Sequence, residues 1–102
     1  MSVASVVIGD RRLVILRSLK EMANHQLGED LILRAVQMTG RDIDFDRARG
    51  DLEHLERAGC VGIERLPRSG GRELWLVHLT QDGLRAAEGL QIVPGVARRT
   101  MF

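Results

Sequence analysis

Residues 52–79 constrain the fold more than any other part of this chain. They read Leu52-Glu53-His54-Leu55-Glu56-Arg57-Ala58-Gly59, then Cys60-Val61-Gly62-Ile63-Glu64-Arg65-Leu66, then Pro67-Arg68-Ser69-Gly70-Gly71-Arg72, then Glu73-Leu74-Trp75-Leu76-Val77-His78-Leu79. The Leu52–Leu55 spacing marks one face of a helix, and Gly59 ends it, because glycine alone adopts the left-handed cap without steric cost. In 61–66, Val61 and Ile63 share a face while Glu64 alternates away. In 73–79, Leu74 and Leu76 oppose Trp75, Val77 and Leu79. The Gly-rich, polar stretch between these runs is turn-forming. Thr80 is an N-cap, and Leu84, Ala87 and Leu90 give a last helix its apolar stripe, with Gly89 at its end. A helix that runs straight into a β-hairpin needs further helices to complete the wall of a core.

The upstream sequence supplies them. Leu13, Leu16, Leu19, Met22 and Ala23 predict a first helix over 10–24, with Val3 to Ile8 as an arm or short preceding helix, Gly9 as the break and Asn24-His25-Gln26 as the exit. Leu27-Gly28-Glu29-Asp30 opens a second helix, with Leu31, Ile32, Ala35, Val36 and Met38 as its apolar face and Gly40 as its cap. Glu29 and Asp30 lie in its first turn, where carboxylates complement the helix dipole. Asp44 is the N-cap of a third helix that runs to Ala58, with Phe45, Ala48, Leu52 and Leu55 inward. The tail, 91–102, contains Pro94, Gly95, Arg98 and Arg99 and reads as extended. The expected order is α-α-α-β-β-α, mainly α with a β-hairpin, in one domain spanning 1–102. Leu16, Leu19, Leu31, Val36, Leu52, Leu55, Val61 and Leu76 are expected to share its core.

Composition narrows the function. Hydrophobic residues are 44% and charged residues 28% of the 102, as in an ordinary globular protein. There is no run of 18 apolar residues, so no membrane span is expected. The single cysteine, Cys60, rules out an internal disulfide and fits a reducing cytoplasm. The net charge is only +1, so any affinity for nucleic acid must come from local placement of charge. All the basic residues except Lys20 are arginines, whose planar fork suits phosphate and guanine, although a GC-rich genome gives the same bias.

The order of elements, Leu52-x-x-Leu55-x-x-x-Gly59-Cys60-Val61 and Leu79-Thr80-x-x-Gly83-Leu84 resemble the winged helix-turn-helix domains of ArsR/MarR-like regulators. Asp10-Arg11-Arg12-Leu13-Val14-Ile15-Leu16-Arg17 and Val93-Pro94-Gly95-Val96-Ala97-Arg98 look like the small winged-helix proteins of Mu-like bacteriophages and prophages. That resemblance spans about residues 9–99. It implies a phage or prophage origin, a third helix that enters a major groove, a hairpin wing beside it, and pairing of two copies through terminal helices.

Two function classes follow. The first is a DNA-binding transcriptional regulator. Arg65, Arg68 and Arg72 bracket Gly70-Gly71 at the hairpin tip, where arginine suits a minor groove or the phosphate backbone. Arg47 and Arg49 sit in the first turns of the third helix, which would face the major groove. A solvated hairpin and arginines paired with neighbouring carboxylates are the bland alternatives, because residues 41–57 carry four arginines against six carboxylates. A duplex reader of this size is expected to be a homodimer, with Val3, Val6, Val7, Ile8, Leu84 and Leu90 as candidate contact residues. The rival class is a protein-interaction adaptor that binds a phage or host protein and no DNA, and the acidic third helix favours it. A continuous positive stripe through Arg47, Arg49 and the hairpin would decide for DNA, and an acidic interruption for the adaptor.

Catalysis and metal binding are not expected. Cys60, His25, His54 and His78 lack ligand spacing, and Cys60 reads as a small buried hydrophobe. No phosphate loop, nucleophile elbow or paired-carboxylate motif is present, so neither an enzyme nor a cofactor is indicated.

Overall fold

The computed structural model describes residues 2–100; Met1 and the last two positions of the expected tail, Met101 and Phe102, lie outside the described residues. The first helix, α1 (Val3–Glu21), runs unbroken through Gly9, where the sequence suggested an arm and a break. Ser2 and Ser5 close a reciprocal capping box, which starts the helix well before the point that the apolar spacing indicated. Gly9 has a packing role instead. A Cβ there would lie 3.3 Å from the backbone nitrogen of Ala97, which donates a hydrogen bond to the Gly9 carbonyl.

The chain leaves α1 through His25, whose φ of 54° is the only left-handed non-glycine backbone among the described residues. A three-residue strand, β1 (Gln26–Gly28), follows, where the sequence reading placed the start of a helix. Then come α2 (Glu29–Met38), α3 (Phe45–Arg57), β2 (Val61–Leu66), β3 (Leu74–Leu79) and α4 (Gln81–Ala87). The observed order is therefore α-β-α-α-β-β-α, not α-α-α-β-β-α. The hairpin is two-thirds of a three-stranded antiparallel sheet, β1-β3-β2. Leu27 pairs with Val77, which pairs with Ile63 on the other side. A three-residue strand has no periodicity to read, and only the partner strand gives its amides acceptors.

Caps fix the helix ends. Asp44 accepts from the Arg47 amide at 2.8 Å, and the Thr80 hydroxyl accepts from Gly83 at 3.0 Å. Gly59, in the left-handed conformation, turns the chain out of α3 into β2. The α4 helix approaches β2 so closely that a Cβ on Gly83 would collide with the Cys60 carbonyl.

The core gathers Leu16, Leu19, Ile32, Val36, Leu52, Leu55, Val61, Trp75, Val77 and Leu79. Two expected members are corrected. Leu31 is 58% exposed, because α2 turns Ile32 and Val36 inward instead. Leu76 is half-buried, since the period of two gives the core face of β3 to Trp75, Val77 and Leu79. Leu90 falls beyond α4 and is exposed, while Ala86 and Ala87 pack inward. The tail forms turns without a regular element and straps α1 and α3: Arg12 reaches the Gly95 carbonyl at 3.3 Å, and His54 Nε2 donates to the Pro94 carbonyl at 2.8 Å.

Carboxylates are buried in this small core. Asp51 of α3, 1% exposed, accepts from Arg11 Nε at 2.6 Å, from Arg11 Nη2 at 3.0 Å and from Arg12 Nε at 3.0 Å. Asp10 of α1 takes a two-pronged contact from Arg41, at 2.6 and 3.1 Å. Every buried side-chain nitrogen and oxygen among the described residues has a hydrogen-bond partner.

Two stability measurements check this packing. Leu55→Ala should cost about 2–5 kcal/mol in denaturant unfolding, as for other large-to-small core changes. Asp51→Ala, which leaves two guanidinium groups without their acceptor, should cost about 3–5 kcal/mol. An unchanged midpoint in either variant would contradict the burial described.

Candidate nucleic-acid interface

The five arginines singled out from the sequence fall on α3 and on the β2–β3 hairpin. The structure brings three of them into one cluster through two aromatic rings. Arg72 lies over Phe45 at 4.2 Å, Arg49 over Phe45 at 4.7 Å and over Trp75 at 4.2 Å, and Arg65 over Trp75 at 4.5 Å. The result is an alternating ladder, Arg72–Phe45–Arg49–Trp75–Arg65, that fastens the hairpin to the first turns of α3. Guanidinium groups stack on aromatic faces because the ring quadrupole attracts the cation and the planar group covers the ring.

Arg49 is the centre of this ladder and is held by three hydrogen bonds. It forms a two-pronged ion pair with Glu29 of α2, both contacts at 2.7 Å, and donates to the Glu73 carbonyl at 2.8 Å. The hydrogen bond to Glu29 holds the Arg49 guanidinium above even its ordinary basicity. Glu29 is itself buried and also accepts from the Trp75 backbone amide at 3.2 Å. The indole Nε1 of Trp75 donates to the Glu73 carboxylate at 2.9 Å. One carboxylate thus joins α2, α3 and β3.

Arg65 is also engaged, by a two-pronged pair with Glu56 of α3 at 3.0 and 3.1 Å. The remaining arginines are held loosely. Arg47 has Asp42 and Asp44 at 3.7 Å, and Arg68 at the hairpin tip has Asp30 at 3.8 Å. Pairs this long between exposed side chains are worth about 0–1 kcal/mol, so water or another anion displaces them readily. Arg72 is exposed, with Phe45 as its support.

The outward surface of α3 and its entry carry Asp42, Asp44, Asp46 and Glu53 against Arg47 and Arg57. Four exposed carboxylates there stand against two exposed arginines. Sequence reasoning missed Glu29, Phe45 and Trp75 as the parts that organise the arginines. Glu29 had a signal only as a first-turn acid, which says nothing about burial.

Among the described residues no group of three or more His, Cys, Asp or Glu could hold a metal ion. Burial pushes the Cys60 thiol up, away from the reactive thiolate. No helix among the described residues is long and apolar enough to cross a membrane.

No protein-family model matches this chain, and no solved structure matches it. Among curated proteins it is 34% identical over 93 residues to a protein of Escherichia phage Mu described as uncharacterized protein gp26, covering 91% of each chain. It is 39% identical over 66 residues to a Haemophilus influenzae protein described as uncharacterized, covering 65% of this chain and 64% of that one.

The Arg65–Glu56 pair has a pH signature. The hydrogen bond from Arg65 holds the Glu56 carboxyl below the ordinary carboxylate range. A depressed folded-state value contributes stability above the unfolded value, and that contribution is lost as pH falls through the depressed value. Glu56→Gln should therefore lower Tm slightly at neutral pH and leave it unchanged at the acid end of a pH series. The effect is small because water screens a pair that is one-third exposed. Equal Tm differences across the series would contradict it.

Proposed function

This chain belongs to the family of the phage Mu protein gp26, and we propose that it is a winged-helix interaction module of phage or prophage origin. Its partner in this reading is a phage or host protein in the bacterial cytoplasm. Support for a winged-helix frame comes from two helices that brace α3, a hairpin that leaves α3 directly, and a short first strand that pairs with the far side of that hairpin.

The observation that carries the reading is the fate of Arg49. A duplex reader needs cations on the helix surface that approaches phosphates, because counterion release supplies most of its non-specific affinity. Here the central arginine of α3 is turned onto buried Glu29, and the surface beside it presents Asp42, Asp44, Asp46 and Glu53. Such a face repels a phosphate backbone and complements a basic protein surface.

One observation favours a second reading, a DNA-binding regulator led by its wing. Arg68 and Arg72 stand at the exposed hairpin tip outside any buried pair. Under that reading the hairpin supplies sequence-independent attraction, Arg47 supplies what selectivity α3 can offer, and affinity is weak.

Titration of a fluorescent random-sequence duplex at two salt concentrations separates the two. The module reading expects no salt-sensitive binding by the wild-type protein, and a gain of such binding when Asp42→Asn and Asp46→Asn are combined. The wing reading expects wild-type binding that is salt-sensitive, with a slope that flattens by about one unit for every phosphate that Arg68→Ala or Arg72→Ala leaves unneutralised. Wild-type binding that flattens in this way would overturn the module reading.

A further inference from the structure

The tail and the first turns of α1 enclose an apolar groove apart from α3 and the hairpin. The tail is tied down where the Ala97 amide donates to the Gly9 carbonyl at 3.1 Å. Beside that contact runs a groove of about 460 Å³. Val6 and Val96 line it together with Gly9 and Ala97, residues too small to fill it. The same turns of α1 leave Val3 82% and Val7 51% exposed. An apolar concavity with open apolar neighbours is the setting of a binding site and not of a solvated helix face.

The charges at its rim have one sign. Arg98 and Arg99 line the groove, and both are exposed. Arg98 donates to the Gly89 carbonyl at 3.3 Å, which leaves its charge uncompensated, and neither arginine belongs to an ion pair among the described residues. Residues 2–9 and 89–100 contain no carboxylate, and no acid offsets the helix dipole in the first turn of α1. Exposed arginines elsewhere have carboxylates near them, as Arg47 has Asp42 and Arg68 has Asp30. This rim has none.

We propose that this groove docks an acidic segment of another protein, one that seats a large apolar side chain against Val6 and Val96 and sets carboxylates against Arg98 and Arg99. The apolar part supplies affinity, and the charges supply orientation and choice of partner. A second copy of this chain is the wrong partner. Two-fold pairing at the groove would bring like rims face to face with no carboxylate between them. A flat anionic lipid surface would touch Val3 and Val7 but leave the concavity empty. The proposal goes beyond the reading of α3 as a protein-binding face and stands whether α3 meets protein or DNA. Where both hold, the chain joins a basic partner to an acidic one.

The test is fluorescence anisotropy with a fluorescein-labelled peptide in which a leucine pair is flanked by glutamates. The wild-type protein should bind it with a Kd of about 1–100 μM, the range of a small contact. Added salt should weaken binding, because exposed charges are screened. Arg99→Glu breaks no ion pair among the described residues. It should weaken binding about tenfold and create binding to the matching leucine–lysine peptide. Val6→Glu should abolish binding with an unchanged circular dichroism spectrum, and Asp42→Asn on the α3 side should leave it unchanged. No binding by the wild-type protein overturns the proposal. So does equal binding of a serine–glutamate peptide, since charge alone would then suffice, or an affinity that Arg99→Glu leaves intact. Co-sedimentation with phosphatidylglycerol vesicles in place of peptide binding would assign the surface to a membrane, and a wild-type dimer that Val6→Glu dissociates would assign it to a second copy; either result overturns the proposal.

Discussion

The structure depends on carboxylates that have been taken out of water. Removing a carboxylate from solvent costs several kcal/mol unless it is paired and its lone pairs are filled. Asp51 therefore cannot exist in the core without Arg11 and Arg12, and their shared acceptor sets α3 against α1. Asp10 and Arg41 do the same for the connection between α2 and α3. Arginine rather than lysine fills these roles because two parallel N–H bonds fix direction as well as distance. Some of the arginine bias of the chain thus has a folding explanation.

The same rule determines what the surface can do. Glu29 is buried where α2, α3 and β3 meet, and it takes Arg49 from the first turns of α3, while Arg47 and Arg57 stay exposed. Arg49 in turn carries Phe45 and Trp75, and through them Arg65 and Arg72. The hairpin is held at a defined angle by this ladder, and two of its three cations, Arg49 and Arg65, are held by carboxylates, while Arg72 stays exposed. Structural demand and binding potential compete for the same side chains, and the buried acid wins because an unpaired charge in the core costs more than an exposed pair yields.

A chain of this size has room for one core, and its amphipathic elements do not all fit around it. The α2 helix shows the consequence. It is apolar on two sides, one that sends Ile32 and Val36 into the core and one left at the groove with α1. The tail covers part of α1 through Gly9, Gly95 and Val96, yet it leaves Leu31 and Met38 open.

Periodicity and capping chemistry made most of the local structure legible. The α3 helix between Asp44 and Gly59, the hairpin around Gly70-Gly71, and α4 from Thr80 follow from residues that act within a turn or two of themselves. The phage relationship was legible in the motifs at each end of the chain, and the 34% identity to the Mu protein agrees with it. Of the candidate site, the sequence named the arginines but not their occupation. Neither β1, nor the exposure of Leu31, nor the pairing of Arg49 with Glu29 is a local property. The strand depends on β3 and the arginine on a buried carboxylate, both far away along the chain. Amino-acid order alone determined α3, the two hairpin strands, α4 and where the charges lay along the chain. Only the tertiary structure decided which charges remained available, because burial is what turns an acid near an arginine into an obligatory pair.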